Sequence, residues 1–335
     1  MNENARKHLF IINPVSFRGK AEIDAFIAEV QECFASDIEA ERHIHVSQFP
    51  RDAIRVVRRY IIQAGPKTPV RVYAVGGDGI LFDCLNGLIG LPNAELATVP
   101  YGHTNDFMRA FGEGLRAVFR NIPLQATAPL VATDILHCGS NYAMNLCTVG
   151  IESAALFKAV YRQRQMRRWP FFLKNNAHIY NFMYIWGGAV AMFNKKTRDQ
   201  EHTVSIDGED ASEAYININI ANGPCCGGDK SEVVTAVPDD GFMDILLFRK
   251  VKGAFDGLVK IVPYTAGHYD RVPAGYFVLK RGKIITIRSS RPLMINMDGE
   301  VFYDTNLTVE LIPAAVNIVA PNNLPYRRRS AAPDV

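Results

Sequence analysis

Three short segments in the first third of the chain carry residues suited to gripping phosphate. They are Asn13-Pro14-Val15-Ser16, Gly76-Gly77-Asp78-Gly79 and Pro100-Tyr101-Gly102-His103-Thr104-Asn105-Asp106-Phe107. Each follows a short apolar run that reads as a strand, at residues 9–12, 70–75 and 96–99. Glycine lets the backbone approach an anion closely, and the N–H groups that open a helix attract negative charge. Asp78 is the odd member, because a carboxylate repels phosphate unless it bonds ribose, bonds backbone donors or holds Mg²⁺. Two familiar nucleotide loops are excluded. Gly19-Lys20 lacks the earlier glycine and the following Ser or Thr of a P-loop, and Phe82 puts a ring where a dinucleotide turn needs Gly or Ala.

A second group of motifs is acidic and lies later. Asp-Gly-Glu occurs twice, at Asp207-Gly208-Glu209 and Asp298-Gly299-Glu300. A hydroxyl nucleophile must lose its proton as bonding to phosphorus develops, and a carboxylate within reach can accept it. Asp-Gly is also a common hairpin turn, and Asp207, between two strand-like segments with charged neighbours, reads as one. Asn222-Gly223 with Gly227-Gly228, and Asp240-Gly241-Phe242-Met243-Asp244, punctuate the same half.

The elements that must position these residues change character along the chain. Up to about Ala132, strand and helix signals alternate, which predicts a doubly wound α/β domain with a parallel sheet and all three loops at its carboxyl edge. Residues 133–315 read as short strands with Gly, Asp and Asn between them, an antiparallel β-sandwich-like domain holding one helical insertion at about 152–196. Residues 316–335 are a candidate to return to the first domain.

In order and spacing, the motifs resemble the diacylglycerol kinase family, with its sphingosine kinase and bacterial lipid kinase relatives. The match runs from about residue 8 to 320. The resemblance implies a lipid kinase that moves the γ-phosphate of ATP to a lipid hydroxyl. It implies ATP contacts at Asn13, Pro14, Ser16, Gly76, Gly77, Asp78, Gly79, His103, Thr104 and Asn105. It also implies a structural Mg²⁺ at the Asp-Gly turn, held by Asp240 with the main chain of Val237 and Phe242. Glu300 is the expected base and Asp298 its charged partner, with the reverse order as an alternative. Phe17, Ile80, His103 and Phe82 stand where the family has Gly, Thr, Thr and Asn, so a catalytically degraded lipid- or nucleotide-binding protein is a competing reading. An NAD kinase-like enzyme is another, since Gly-Gly-Asp-Gly occurs there too.

Bulk properties narrow the partners. A net charge of +3 over 335 residues is too small for the basic surface of a nucleic-acid binder, so no nucleic-acid partner is expected. Six cysteines without CxxC spacing give no zinc site, and Cys84 and Cys147 sit in apolar runs as buried small hydrophobes. The start of the chain is polar and residues 9–12 are too short for a signal-peptide core, so a cytoplasmic protein is expected. The apolar stretch 179–193 is shorter than a membrane span and reads as a core or surface helix. Lys158, Arg162, Arg164, Arg167, Arg168 and Lys174 interleave with Trp169, Phe171 and Phe172. This composition suits peripheral contact with the anionic inner membrane face, or equally a solvated helix face. Arg327-Arg328-Arg329 reads as a solvated tail. A homodimer is compatible with the resemblance.

Overall fold

Strands buried on both faces cannot alternate polar with apolar, and the first strands obey that constraint. β1 (Lys7–Ile12), β3 (Val70–Gly76) and β4 (Ala94–Pro100) are almost wholly buried, whereas β2 (Arg42–Val46) is a part-exposed edge. The computed structural model describes residues 6–35, 41–102, 104–165, 177–225, 235–265, 272–273 and 275–328. It divides into two units: Met1–Ile135 with Ile312–Arg327, and Leu136–Leu311 with Arg328–Val335. The division falls at Ile135 rather than Ala132, and the returning segment begins at Ile312 rather than 316.

In the first unit the strand order is β2-β1-β3-β4, every pair parallel, and the end of β14 (Glu300–Val319) adds a further strand through Asn317 opposite Glu95, with β5 (Leu130–Cys138) pairing on β14. The step from β1 to β2 runs one way across the sheet, and the steps to β3 and β4 run the other. Right-handed crossovers therefore put α1 (Lys20–Cys33) on one face and α2 (Asp52–Ala64) with α3 (Asp78–Leu88) on the opposite face. Phe26 and Val30 of α1 pack on Phe10, Ile12, Tyr73 and Val75. α2 and α3 meet at Gly87, where a Cβ would lie 2.8 Å from the Ile54 carbonyl and 2.9 Å from Val57 Cβ. Past β4 come α4 (Arg116–Arg120) and α5 (Ile122–Thr127). At the amino edge of the sheet Arg71 is fully buried. Its guanidinium is satisfied by Glu95 at 2.5 Å and by the carbonyls of Gln125 and Ala128, as a buried charge requires. The returning tail seats Tyr326 on Phe107 and Phe111, its hydroxyl 2.6 Å from that of Thr133.

The second unit is antiparallel. From β5 (Leu130–Cys138) the chain forms β6 (Asn141–Ala143) and β7 (Leu146–Gly150), then α6 (Ile151–Gln165), α7 (Ala177–Phe193) and α8 (Lys195–Arg198). β8 (Thr203–Ile206), β9 (Glu209–Asp210), β10 (Tyr215–Ala221), β11 (Met243–Arg249), α9 (Ala254–Thr265), β12 (Phe277–Gly282) and β13 (Ile284–Met297) follow. The main order is β12-β11-β10-β7-β13-β14, with every neighbouring pair antiparallel. β13 pairs with β8 near Ile285 and with β7 near Ile295, and its register with β14 shifts between Arg288 and Leu293. One strand thus serves two layers, which gives the sandwich-like form. α6 and α7 cover the core of this unit, with Ala191 and Met192 against Ile216, Leu246 and Phe248. Gly187 brings them close, since a Cβ there would be 2.8 Å from the Ala155 carbonyl. Among the described residues no helix is long and apolar enough to cross a membrane. Of the basic-aromatic segment from Lys158 to Lys174, residues 166–174 lie outside the described residues. Cys84 and Cys147 are fully buried, and burial pushes both thiols well above the ordinary range.

Gly87→Ala is expected to cost about 1–3 kcal/mol by forcing α2 and α3 apart, measured as a lower urea midpoint with an unchanged denaturant slope.

Candidate functional site

In the first unit the second and third of the three candidate phosphate loops meet at one atom. The Gly76 carbonyl accepts the main-chain N–H of Tyr101 at 2.9 Å and of Gly102 at 2.8 Å. It also accepts the Asn105 side-chain amide at 2.8 Å. Asp78 completes the clasp: one oxygen takes the Thr104 hydroxyl at 2.6 Å and the other the Asp106 N–H at 2.8 Å. Of the roles open to Asp78, bonding to neighbouring donors is the one the structure displays. Gly77 and Gly102 cross so closely that a Cβ on Gly77 would lie 3.3 Å from Gly102 Cα. The first loop closes from the other side. Asn13 Oδ1 accepts the Val15 N–H at 3.2 Å and caps the turn Pro14–Ser16. A Cβ on Gly76, whose φ is 156°, would meet Asn13 Cβ at 3.0 Å and Ser16 Oγ at 3.1 Å.

These contacts bring Asn13, Pro14, Ser16, Gly76, Gly77, Asp78, Gly79, Thr104 and Asn105 together at the carboxyl edge of the parallel sheet; His103 lies outside the described residues. The first helical bond of α3 runs from Leu81 N–H to the Gly77 carbonyl. The N–H groups of Asp78, Gly79 and Ile80 therefore lead the helix without intrahelical acceptors, the arrangement that receives an anion.

The third loop opens no α-helix at Thr104. Asn105 is left-handed, φ 52°, and a single 3₁₀ turn follows at Phe107–Ala110. An L-residue in that region cannot continue a right-handed helix, and the side chain of Asn105 is committed to Gly76. Sequence reading also missed Arg116 and Arg120. Arg116 donates to the Gly102 carbonyl at 2.9 Å and Arg120 to the Pro100 carbonyl at 2.8 Å, with Arg120 4.2 Å from the Tyr101 ring centre. Burial, and then Arg120 and Arg109, lower the Arg116 pKa, against the pull of Asp78. Their spacing of four, directly after the third loop, was the available signal. Of the residues that depart from the family pattern, Phe17, Ile80 and Phe82 are buried: Phe17 stacks on Tyr101 at 4.5 Å and Phe82 lies 4.8 Å from Arg51.

In the second unit both Asp-Gly-Glu motifs open with left-handed hairpin turns, with φ of 50° and 86° at Asp207-Gly208 and 45° and 95° at Asp298-Gly299. Both aspartates also accept main-chain amides, Asp207 from Lys283 and Ile284. Asp298 accepts from Met144 at 2.7 Å, Asn145 at 3.2 Å and Leu146 at 2.9 Å. What separates them is the company. The Asn145 carbonyl also receives the N–H groups of Asn222 and Gly223 at 2.9 Å, and the Asn222 amide reaches the Met144 carbonyl at 2.6 Å. Residues 144–146 thus join Asp298-Gly299-Glu300 to Asn222-Gly223. Only a polar Asn145 inside an apolar run hinted at this. Glu300 opens β14 opposite Met297 and is part-exposed. Gly227 and Gly228 lie outside the described residues.

The Asp240 turn was expected to hold Mg²⁺ with Val237 and Phe242. Its carboxylate accepts the Phe242 N–H at 3.1 Å and pairs with Arg281. Arg281 also grips Asp244 at 2.8 Å and lies 4.8 Å from the Phe242 ring centre. A guanidinium therefore stands where a divalent ion would have to bring its charge. No cluster of three metal-binding side chains occurs among the described residues. So arranged, the turn does not fit Mg²⁺, and no chemistry is routed through an ion there. Burial raises the carboxyl pKa of Asp244, opposed by the Thr235 hydroxyl and by Arg281.

Comparison with known proteins agrees with this division. Residues 7–136 match the diacylglycerol kinase catalytic domain, and residues 174–320 match the YegS C-terminal NAD kinase beta sandwich-like domain. A probable lipid kinase YegS-like of Pseudomonas savastanoi pv. phaseolicola is 26% identical, over 82% of this chain and 83% of its own. Its counterpart in Pseudomonas syringae pv. syringae is 27% identical over 76% of this chain and 77% of its own. The crystal structure of a diacylglycerol kinase from Bacillus anthracis str. Sterne superposes with a TM-score of 0.65. It is 17% identical, over 95% of this chain and 98% of that one, a likeness of fold.

Asp78→Ala removes both acceptors of the loop clasp and is expected to cost about 1–3 kcal/mol and to weaken nucleotide binding, read by calorimetry with ATP. Arg281→Met leaves Asp244 buried without its cation, at about 2 kcal/mol. Because burial raises the folded pKa of Asp244, its ionisation costs stability as pH climbs from the ordinary carboxylate value through the raised one. The deficit of the variant should therefore be largest at neutral pH and shrink as pH falls through that raised value, followed by thermal midpoints across pH. Chelator should leave the wild-type midpoint unchanged.

Proposed function

We propose that this chain is a lipid kinase of the diacylglycerol kinase and YegS-like kind, which transfers the γ-phosphate of ATP to a hydroxyl of diacylglycerol or a related lipid. The observation that carries the proposal is the clasp of the second and third loops at the Gly76 carbonyl, with Asn13 and Ser16 of the first loop close against Gly76, within the segment that matches a diacylglycerol kinase catalytic domain. That arrangement aims the leading N–H groups of α3 at one position, where phosphate oxygens would replace their missing acceptors. Asn13, Ser16 and Thr104 line the same edge. ATP would arrive as its magnesium complex, the ion screening charge between phosphates.

Nucleotide binding is assigned to the first unit and proton removal to the second. Glu300 is the proposed base, accepting the proton of the attacking lipid hydroxyl as the bond to phosphorus forms. Asp298 is the positioning partner: protonating it would sacrifice at least one of the three amide bonds that fix residues 144–146. The acceptor would be met at an anionic membrane surface on the cytoplasmic side. A second reading, phosphorylation of NAD, draws on the NAD kinase-like description of the C-terminal domain.

Glu300→Gln is expected to lower turnover by about 10²–10⁴-fold while ATP affinity stays within error. The assay is labelled ATP with a total lipid extract, and NAD in parallel. Undiminished lipid phosphorylation by the variant would remove Glu300 from the role, and label in NADP alone would select the second reading.

A further inference from the structure

α7 is apolar on both sides, a pattern that belongs to helices covered all round. One side is covered. Met183, Gly187, Ala191 and Met192 are buried, the last two within the core of the second unit. The other side presents Phe182, Trp186, Val190 and Phe193, which are 65%, 49%, 38% and 65% exposed. Steps of four, four and three place them on a single stripe. On α9, which packs at Gly257 against Met192, Phe255 and Val259 are exposed as well, at 80% and 57%.

The stripe does not belong to a membrane span. Its 17 residues extend about 26 Å, against about 30 Å of hydrocarbon, and one side is already filled by protein. It suits a plane between water and oil, where Trp and Phe seat their rings and flanking cations reach phosphate. The charge matches such a plane. Between Glu152 and Asp199 the sequence holds nine Lys and Arg, from Lys158 to Arg198, and no Asp or Glu. None of the nine lies within α7 itself, so the cations flank the apolar stripe at both ends.

We propose that the stripe of Phe182, Trp186, Val190 and Phe193 docks α7 flat onto an anionic lipid bilayer, whose charge the Lys and Arg that flank α7 in the sequence complement. The inference rests on the lipid-acceptor reading for its choice of surface. Docking of this kind keeps the acceptor in its native phase while the enzyme stays extrinsic, and its apolar part survives salt.

The test uses full-length protein carrying Trp169→Phe, which leaves Trp186 as the sole indole, and vesicles of phosphatidylglycerol and brominated phosphatidylcholine. Quenching of Trp186 is expected. The triple variant Phe182→Ser, Val190→Ser, Phe193→Ser should lose vesicle partition by about tenfold or more at about 0.5 M NaCl, with its thermal midpoint unchanged. Vesicle-bound protein with Trp186 unquenched, or protein that does not bind vesicles, overturns the proposal. So does a wild-type dimer in sedimentation that the triple variant dissolves, because the stripe then joins two copies of the chain. Quenching without phosphorylation of any lipid upholds the docking face and removes the kinase reading. Lipid phosphorylation in detergent micelles without vesicle quenching does the reverse.

Discussion

A single carbonyl oxygen, that of Gly76, organises the first unit's site. It sits at the end of the central strand and receives three donors from the loop that follows the neighbouring strand. A backbone acceptor can gather that many partners only where nothing bulky stands in the way, and Gly76, Gly77 and Gly102 clear the space. Asp78 then fixes the same loop from the opposite direction. The carboxylate that looked least suited to holding phosphate turns out to be part of the frame of these loops. By taking local donors it is occupied by the protein, and the N–H groups that lead the helix have no intrahelical acceptor.

The second unit uses the same device in a different setting. Asp298 gathers three successive amides, as an anion would in a helix start, and so ties a hairpin turn to the residues that carry Asn222 and Gly223. Arg281 plays the complementary part at Asp240 and Asp244, supplying positive charge from within the chain. In each place a charged side chain makes the loop rigid, and the functional groups are the neighbours it positions.

Much of this was legible in the sequence because it depends on residue type. Glycines after apolar runs, Pro14 beside Asn13, and Asp-Gly before a strand each permit few conformations. The parallel sheet followed from strand and helix signals in alternation, and the antiparallel half from short strands with turn residues between them. What stayed hidden depended on long-range partners. Nothing local announces that Asn105 would turn left-handed to reach a carbonyl 29 positions earlier. Nor does a local pattern distinguish Asp298 from Asp207, since their turns are alike and only their distant partners differ. Arg281 lies in a strand more than thirty residues from the aspartates it holds. Ile80 and Phe82 looked like losses at a binding loop, yet burial gives both a packing role.

β14 runs unbroken from Glu300 to Val319, pairing with β13 in the second unit and with β4 in the first. A ribosome therefore releases about 300 residues before the first unit can acquire this strand. Until then β4 waits with an unpaired edge, and the unit begun first is finished late. Vectorial synthesis gives this architecture no early refuge, so its maturation depends on holding that edge apart from other nascent chains until β14 emerges.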